Sequence, residues 1–283
     1  MDKKIVISRM LHSKFFMVGA VTAIVIILLS VFSPVIVQYD PLTNNLAERL
    51  MAPEYFARGL QGHVFGTDEA GRDIFSRLLL GSRYSLTIAA VVVFVAAFIG
   101  TVLGAISGYF GGAVDAVIMR LCDIMMAIPN LVLAIAVMAV LGPNIFNLVI
   151  VLIITTWVQY CKVTRNNVMV VKNTEFVKAS QVLGASRMHI MFSQIFPNVT
   201  TQLIILISQQ LGWTILTEAS LSFLSLGVQP PTPSWGNMIA DGRNFLITNP
   251  WLVMVPGVAL MVTVLAFNFL GDGLRDVLDP KRI

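Results

Sequence analysis

"EFVKASQVLGASRMHIMFSQIFPN" runs from Glu175 to Asn198, a polar and basic stretch set among long apolar runs. Phe176, Ala179 and Leu183 fall on one helical face. Gly184 follows them, where a glycine commonly ends a helix. Ser186 stands where a helix N-cap belongs. Beyond it Met188, Met191, Phe192, Ile195 and Phe196 recur at i, i+3, i+4, i+7 and i+8, the spacing of an amphipathic helix. Arg187, His189 and Gln194 take the other faces. Pro197 comes next, and a proline cannot easily continue a helix. The expected order is therefore helix, glycine elbow, amphipathic helix, then an apolar span. A flexible linker has no need of such a pattern. Two readings of it stay open: a helix lying on lipid headgroups, or a docking element for a soluble partner.

The surrounding chain makes the setting plain. Its 283 residues are 57% hydrophobic and 12% charged, whereas a soluble domain is about 45–50% apolar and about 25% charged. This is the composition of an integral membrane protein. The net charge of +4 does not point to nucleic acid, because in a membrane protein the sign matters loop by loop. Cys122 and Cys161 are far apart and lie in or beside apolar runs, which reads as packing rather than as a redox or zinc motif. His12, His63 and His189 have no ligand spacing, and no metal is expected in the chain. The start, "MDKKIVISRMLHSKFF", is basic, but the apolar run after it is too long for a signal peptide and lacks a small-residue cleavage site. A retained first span is expected.

A spanning helix needs about 20 mostly apolar residues. The candidates are Phe15–Val37, Ser85–Ser107, Ile124–Leu141, Ile145–Cys161, Val199–Leu226 and Trp251–Leu270, which makes six. The third and fourth are joined by Gly142, Pro143 and Asn144, a turn signal, and form a hairpin. Basic residues mark the cytoplasmic side. Lys3, Lys4, Arg9 and Lys14 put the N-terminus there. Lys162, Arg165, Lys172, Lys178 and Arg187, against Glu175, put the stretch between spans four and five on the same side. Six spans return the C-terminus to it. The layout is then residues 1–37 as N-terminus and first span, 38–83 as an extracytoplasmic loop, 84–272 as a five-span core holding the cytoplasmic loop 162–198, and 273–283 as a cytoplasmic tail.

Gly100, Gly104 and Gly108 recur every four residues in the second span and let two helix backbones approach closely. The neighbour is either this chain or a second membrane subunit. Glu218 sits in the apolar run "TILTEASLSFL", with Gln209 and Gln210 upstream. An acid at membrane depth is a functional candidate by default. It can pair with another chain, bind a substrate amine or lock a helix break. Arg120 and Asp123 anchor the cytoplasmic edge of span three. "GTDEAGRD", Gly66 to Asp73, does not have the spacing of a calcium loop, and reads as an ordered outer turn leading into "IFSRLLLGSR". "VQPPTPSWG", Val228 to Gly236, is a rigid outer loop through Pro230 and Pro231, with Trp235 suited to the membrane interface. No GxxxxGK[ST] phosphate loop is present, so ATP hydrolysis is not expected of this chain.

Several stretches carry a family resemblance. "KASQVLG" followed by "QIFPN" resembles the EAA loop of ABC importer permeases, whose pattern is E-A-A, three residues, Gly, nine residues, then I-x-L-P. Ala179, Ser180, Gly184 and Pro197 keep that spacing. Lys178 stands at the Glu position, Ser180 at the second Ala and Gln194 at the Ile. "FGTDEAGRDIFSRLLLGSR", "GYFGGAVDAVIMRLCDIMMAIP", "EASLSFLSLGVQPPTPSWG" and "AFNFLGDGLRDVLDP" resemble permeases of the dipeptide, oligopeptide and nickel import family. They are most similar to the second permease of each pair.

The resemblance implies an all-α fold of six transmembrane helices, the type I ABC importer permease fold, in a bacterial cytoplasmic membrane. It implies a coupling helix formed by Glu175, Lys178, Ala179, Ser180, Leu183, Gly184, Ala185, Ser186 and Pro197, seated on a cytoplasmic ATPase. The implied partners are a second permease, two ATP-binding subunits holding ATP and Mg²⁺, and an extracytoplasmic substrate-binding protein. Di- or oligopeptides are the expected cargo, with nickel or a metal chelate as the alternative. From another class, a stand-alone secondary transporter or channel is the rival. Glu218 is expected to be structural. Because the spans offer few fixed polar groups, a weakly selective conduit is expected, with recognition left to the binding protein.

Overall fold

The computed structural model describes residues 9–55 and 62–278. Lys3, Lys4, Arg58 and the tail from Asp279 lie outside the described residues. Among those residues five helices are long and apolar enough to cross a membrane, and a bent pair makes up to six. The one strand-like pairing among them is an isolated bridge between Thr67 and Asp73.

Helix α1 is Lys14–Val31, opened by Ser13, whose hydroxyl accepts from the Phe16 N–H at 3.3 Å. Helix α2 is Ile74–Phe110, with Asp73 accepting from the Ser76 N–H at 2.7 Å. Its 37 residues span about 55 Å at about 1.5 Å per residue, against a hydrocarbon core of about 30 Å. The helix of the second span thus begins at Ile74 rather than Ser85, and its first turns lie within the stretch 38–83 read as a loop. There Asp68 holds Arg72 at 2.7 Å and Arg77 at 3.3 Å. His63 bridges Asp73 at 3.0 Å and Glu48 at 3.3 Å. "GTDEAGRD" is accordingly an ordered turn that caps α2, with Gly66 and Gly71 at positive φ.

The third span departs from the sequence reading. It is a bent pair, α3 at Gly112–Met126 and α4 at Asn130–Leu141, meeting at 84°. Pro129 accounts for the break, since it brings no N–H and pushes Ile128 away from helical geometry. Helix α5 is Ile145–Lys172, and the Asn144 side chain accepts from the Phe146 N–H at 2.6 Å. The hairpin turn at 142–144 is where it was expected. The helix, however, runs on to Lys172 instead of ending at Cys161, so the loop set at 162–198 opens with helix.

The remaining elements are α6 (Glu175–Val182), α7 (Arg187–Phe223), α8 (Trp235–Gly242) and α9 (Trp251–Leu278). Chain alternation puts α6 at one end of the bundle and α8 at the other.

Two close approaches organise the spans. A Cβ on Gly100 would meet the Trp157 carbonyl, one on Gly104 the Cys161 carbonyl, and one on Gly108 the Arg165 carbonyl at 2.8 Å. The glycine stripe of α2 therefore faces α5 of the same chain. Cys122 and Cys161 are free and buried beside that seam. Helices α1 and α9 meet likewise: a Cβ on Gly19 would collide with the Leu270 backbone, and one on Gly273 would come within 2.5 Å of Phe16. Ion pairs cross the lower half of the bundle, Lys162 to Asp123 at 2.9 Å and Arg165 Nη2 to Asp115 at 2.6 Å. Asp123 is thus tied to α5, and not only to the membrane edge.

Adding one methyl at Gly104 is expected to force α2 and α5 apart and cost about 1–3 kcal/mol, the usual range for overpacking. Gly257 in α9 has nothing within 4 Å of a Cβ, and Gly257→Ala should be neutral or stabilise by up to about 1 kcal/mol. Thermal unfolding midpoints in detergent check this pair. Equal midpoints for Gly104→Ala and the wild type would mean that the helices are not in backbone contact.

Candidate functional site

The polar stretch forms a structured ledge. In α6 the side chain of Val177 is fully buried, while Glu175, Phe176, Lys178 and Ala179 are exposed. Val177 joins Ile190, Ile195, Val199 and span residues such as Ala96 and Tyr160 in one core. The ledge is therefore keyed into the spans rather than laid beside them. Lys172 strengthens the joint by donating to the Tyr109 carbonyl at 2.5 Å.

Helix α6 ends in a hydrogen-bonded elbow. The Gly184 N–H donates to the Gln181 carbonyl at 3.1 Å, and the Ala185 N–H to the Ser180 carbonyl at 3.0 Å. This pair of hydrogen bonds closes a helix through a left-handed residue, and Gly184 has φ +81°. Ser186 then caps the next turn, its hydroxyl accepting from the His189 N–H at 3.3 Å.

The segment after Ser186 is not the amphipathic α-helix expected. Arg187–His189 is one α turn, Ile190–Ile195 is a π turn, and α geometry resumes at Phe196. The wider π turn changes which residues face inward. Ile190 and Ile195, five apart, are fully buried, while Met188, Phe192 and Phe196 are exposed. The five-residue stripe is thus split between two faces. Pro197 does not end the helix either. It lies in the first turn after the π segment, where the Phe196 N–H reaches back to the Met191 carbonyl. The ledge runs into span five without a joint.

Exposed apolar groups stand at the elbow and along the ledge. Val182 is 88% and Leu183 86% exposed, and Phe176, Met188 and Phe192 are also open to solvent. Patches of this kind mark interaction sites.

Two of the three departures from the loop pattern, Ser180 and Gln194, touch each other. Gln194 Nε2 donates to the Ser180 hydroxyl at 2.7 Å, and Ser180 donates to the Phe176 carbonyl at 3.0 Å. An amide–hydroxyl pair stands where the pattern has an apolar pair. The Gln194 carbonyl oxygen is buried without a partner among the described residues.

Within the spans, Glu218 is fully buried. It accepts from Ser85 of α2 at 2.9 Å and from Ser222 at 2.7 Å. The Ser222 hydroxyl in turn accepts from the Val228 N–H at 3.1 Å, so the acid is tied through it to the loop that starts at Val228. Gln209 donates to Asp272 at 3.1 Å, and Gln210 to Gln159 at 2.7 Å. Sequence reasoning passed over Asn130, Gln159 and Thr214, which gather with Gln210 around the α3–α4 break. They sit on separate helices, and no linear pattern joins them.

At the end of the bundle opposite the ledge Pro230 and Pro231 are exposed. Trp235 is not at a lipid interface as expected. It is 2% exposed, and its indole N–H donates to the Leu78 carbonyl at 3.1 Å. The capping box of Ser234 and Asn237 starts α8 there and draws the ring into the bundle.

A bundle of five to six spans with a rigid, apolar-tipped ledge at one end is the architecture of a transport permease. Residues 100–283 match the family described as binding-protein-dependent transport system inner membrane component, and residues 4–53 match the N-terminal transmembrane domain of oligopeptide transport permease C. The chain belongs to the binding-protein-dependent transport permease family.

It is 40% identical to the dipeptide transport system permease protein DppC of Haemophilus influenzae, over 94% of this chain and 90% of that one. It is 39% identical to the oligopeptide transport system permease protein OppC of Bacillus subtilis, over 96% and 88%. Among solved structures, a chain of the MetNI methionine ABC transporter in inward-facing conformations aligns with TM-score 0.60 and 18% identity, over 73% of this chain and 98% of that one. That likeness shows the fold.

Ser180→Ala should leave the buried Gln194 amide unpaired and cost about 1–3 kcal/mol. Ser180→Ala combined with Gln194→Ile should cost less than Ser180→Ala alone, because both polar partners are gone. A double-mutant cycle on thermal midpoints measures the coupling. Additive losses would show that the two side chains act independently.

Proposed function

We propose that this chain is one of two permease subunits of an ATP-driven importer of di- or oligopeptides, and that the ledge couples it to a cytoplasmic ATPase. The observation that carries this reading is the exposed apolar elbow, Val182 and Leu183, on a ledge keyed by Val177, Ile190 and Ile195 into the span core. A helix resting on lipid needs one continuous apolar stripe. Here the π turn splits the stripe, and the elbow projects its apolar tips from a helix end. That shape suits a groove on a protein better than a flat bilayer.

The continuous backbone from π turn to α7 offers a route for force. ATP-driven closure of two ATPases would move two docked ledges, and the spans would rock as rigid bodies between inward- and outward-open states. The hydrolysis itself, with ATP and Mg²⁺, belongs in this reading to the partner subunits. The chain spans the bacterial inner membrane several times, with N- and C-termini cytoplasmic. Cargo reaches its outer loops, Pro230 and Pro231 among them, on an extracytoplasmic binding protein. Glu218 serves the architecture, since its partners are hydroxyls of this chain. Peptide cargo is supported by the names of the dipeptide and oligopeptide permeases that share about two fifths of its residues.

Leu183→Asp tests the coupling. The side chain is exposed, so insertion and pairing with the second permease should be unchanged. Burying that charge at an interface should reduce ATPase co-purification roughly 30-fold, the effect of a binding hot spot of about 2 kcal/mol. Peptide uptake should fall with it. Full ATPase retention by a folded Leu183→Asp chain would refute docking through the elbow. Uptake of a labelled dipeptide by the assembled complex, set beside uptake of Ni²⁺, tests the cargo.

A further inference from the structure

Between Met126 and Asn130 the apolar pair α3–α4 is bent by 84°. Such a break persists at membrane depth only where protein buries it or where it lines a cavity. Two cavities flank this one and share Asn130 and Thr155. The smaller, about 40 Å³, is lined by Asn130, Leu131, Thr155, Gln210, Thr214 and Thr217, among others. The larger, about 120 Å³, extends past Pro129 to Gln159. Neither is lined by a charged side chain.

The lining is rich in unused donors. Helix α4 has no side-chain cap, and its first N–H to find an intrahelical acceptor is that of Leu133, on the Pro129 carbonyl at 3.0 Å. The amides of Asn130, Leu131 and Val132 therefore open at a helix N-terminus, where partial positive charge favours anions. Independently, Thr214 is 1% exposed and lines the same cavity. Its hydroxyl has no hydrogen-bond partner among the described residues. A buried unpaired hydroxyl carries a penalty, which an incoming acceptor would relieve. Gln210 Nε2 is fixed on the Gln159 carbonyl at 2.7 Å. That bond leaves the Gln159 amide nitrogen as a donor on the larger cavity.

We propose that the α4 N-terminus and Thr214 form a transit subsite for the C-terminal carboxylate of a peptide crossing the membrane. The inference rests on the peptide reading above and deepens it. The smaller cavity, about 40 Å³, has room for a small polar group. Donors without a full positive charge hold a carboxylate long enough to steer it and weakly enough to release it, as conduction demands. Such a subsite would add one fixed polar feature to a conduit expected to be weakly selective.

The test uses the assembled complex in proteoliposomes, with saturating peptide-loaded binding protein. Thr214→Val keeps the volume and removes the hydroxyl. Because that hydroxyl has no internal partner, the variant should keep or raise the thermal midpoint while slowing peptide uptake about tenfold. Thr214→Ser should stay within about twofold of wild type. Unchanged uptake in Thr214→Val, or a midpoint that falls together with uptake, would overturn the subsite. Asn130→Asp places a carboxylate at the helix start and should compete with the peptide's own, cutting uptake about tenfold in an assembled complex. Full uptake by assembled Asn130→Asp would overturn the carboxylate assignment, and Thr214→Val decides if that variant does not assemble. A wild-type complex that moves no peptide would remove the peptide reading itself.

Discussion

The backbone contact between α2 and α5 is the constraint on which the rest of the structure depends. Gly100, Gly104 and Gly108 give α2 a smooth face, and the carbonyls of Trp157, Cys161 and Arg165 fill it. In a bilayer, apolar side chains gain little by leaving lipid, so helix association relies on close packing and on polar links. This seam has both. The Arg165–Asp115 pair and the Lys172–Tyr109 bond extend it towards the end of the bundle that carries the ledge. The position of Lys172 then fixes where α6 begins, and with it the direction in which the elbow projects.

The ledge inherits its rigidity from that seam. Val177, Ile190 and Ile195 share a core with Ala96, Tyr160 and Leu203, residues of three spans. No loop separates the ledge from span five, because the π turn passes into α geometry at Phe196. A push on the elbow would therefore reach α7 through backbone hydrogen bonds. At the far end of α7, Glu218 links that helix to α2 through Ser85 and, by way of Ser222, to the loop at Val228. One helix thus touches the ledge, the cavity at the chain break and the loop at Val228.

Local features of this design were legible in the sequence. The Gly184 elbow, the Ser186 cap and the 142–144 turn depend on residues a few positions apart, and they appear where the pattern put them. The glycine stripe was legible as packing, although not its partner, which lies more than fifty residues away. Features set by tertiary contact were hidden. A π turn has no period that distinguishes it from α over six residues, so Ile190 was missed as an anchor and Phe192 was misread as part of one stripe. Trp235 looks interfacial by composition, and only the capping box at Ser234 turns it onto Leu78. Pro129 was visible, but the apolar residues on both sides made a straight span look continuous. Asn130, Gln159 and Thr214 are unremarkable singly and become a site only when α4, α5 and α7 meet.

The central claim is that the elbow is the seat of an ATPase. Site-directed cross-linking in the assembled transporter tests it most directly. Cys122 and Cys161 are buried, so a cysteine introduced at Leu183 is the reactive one on the ledge. Ile247, 97% exposed at the opposite end of the bundle, serves as the control. The account requires that Leu183→Cys cross-link to the ATPase subunit through a short bifunctional reagent and be shielded from a soluble thiol probe in the complex, while Ile247→Cys does neither. A Leu183→Cys chain that stays open to the probe in a functional complex and forms no cross-link would contradict it.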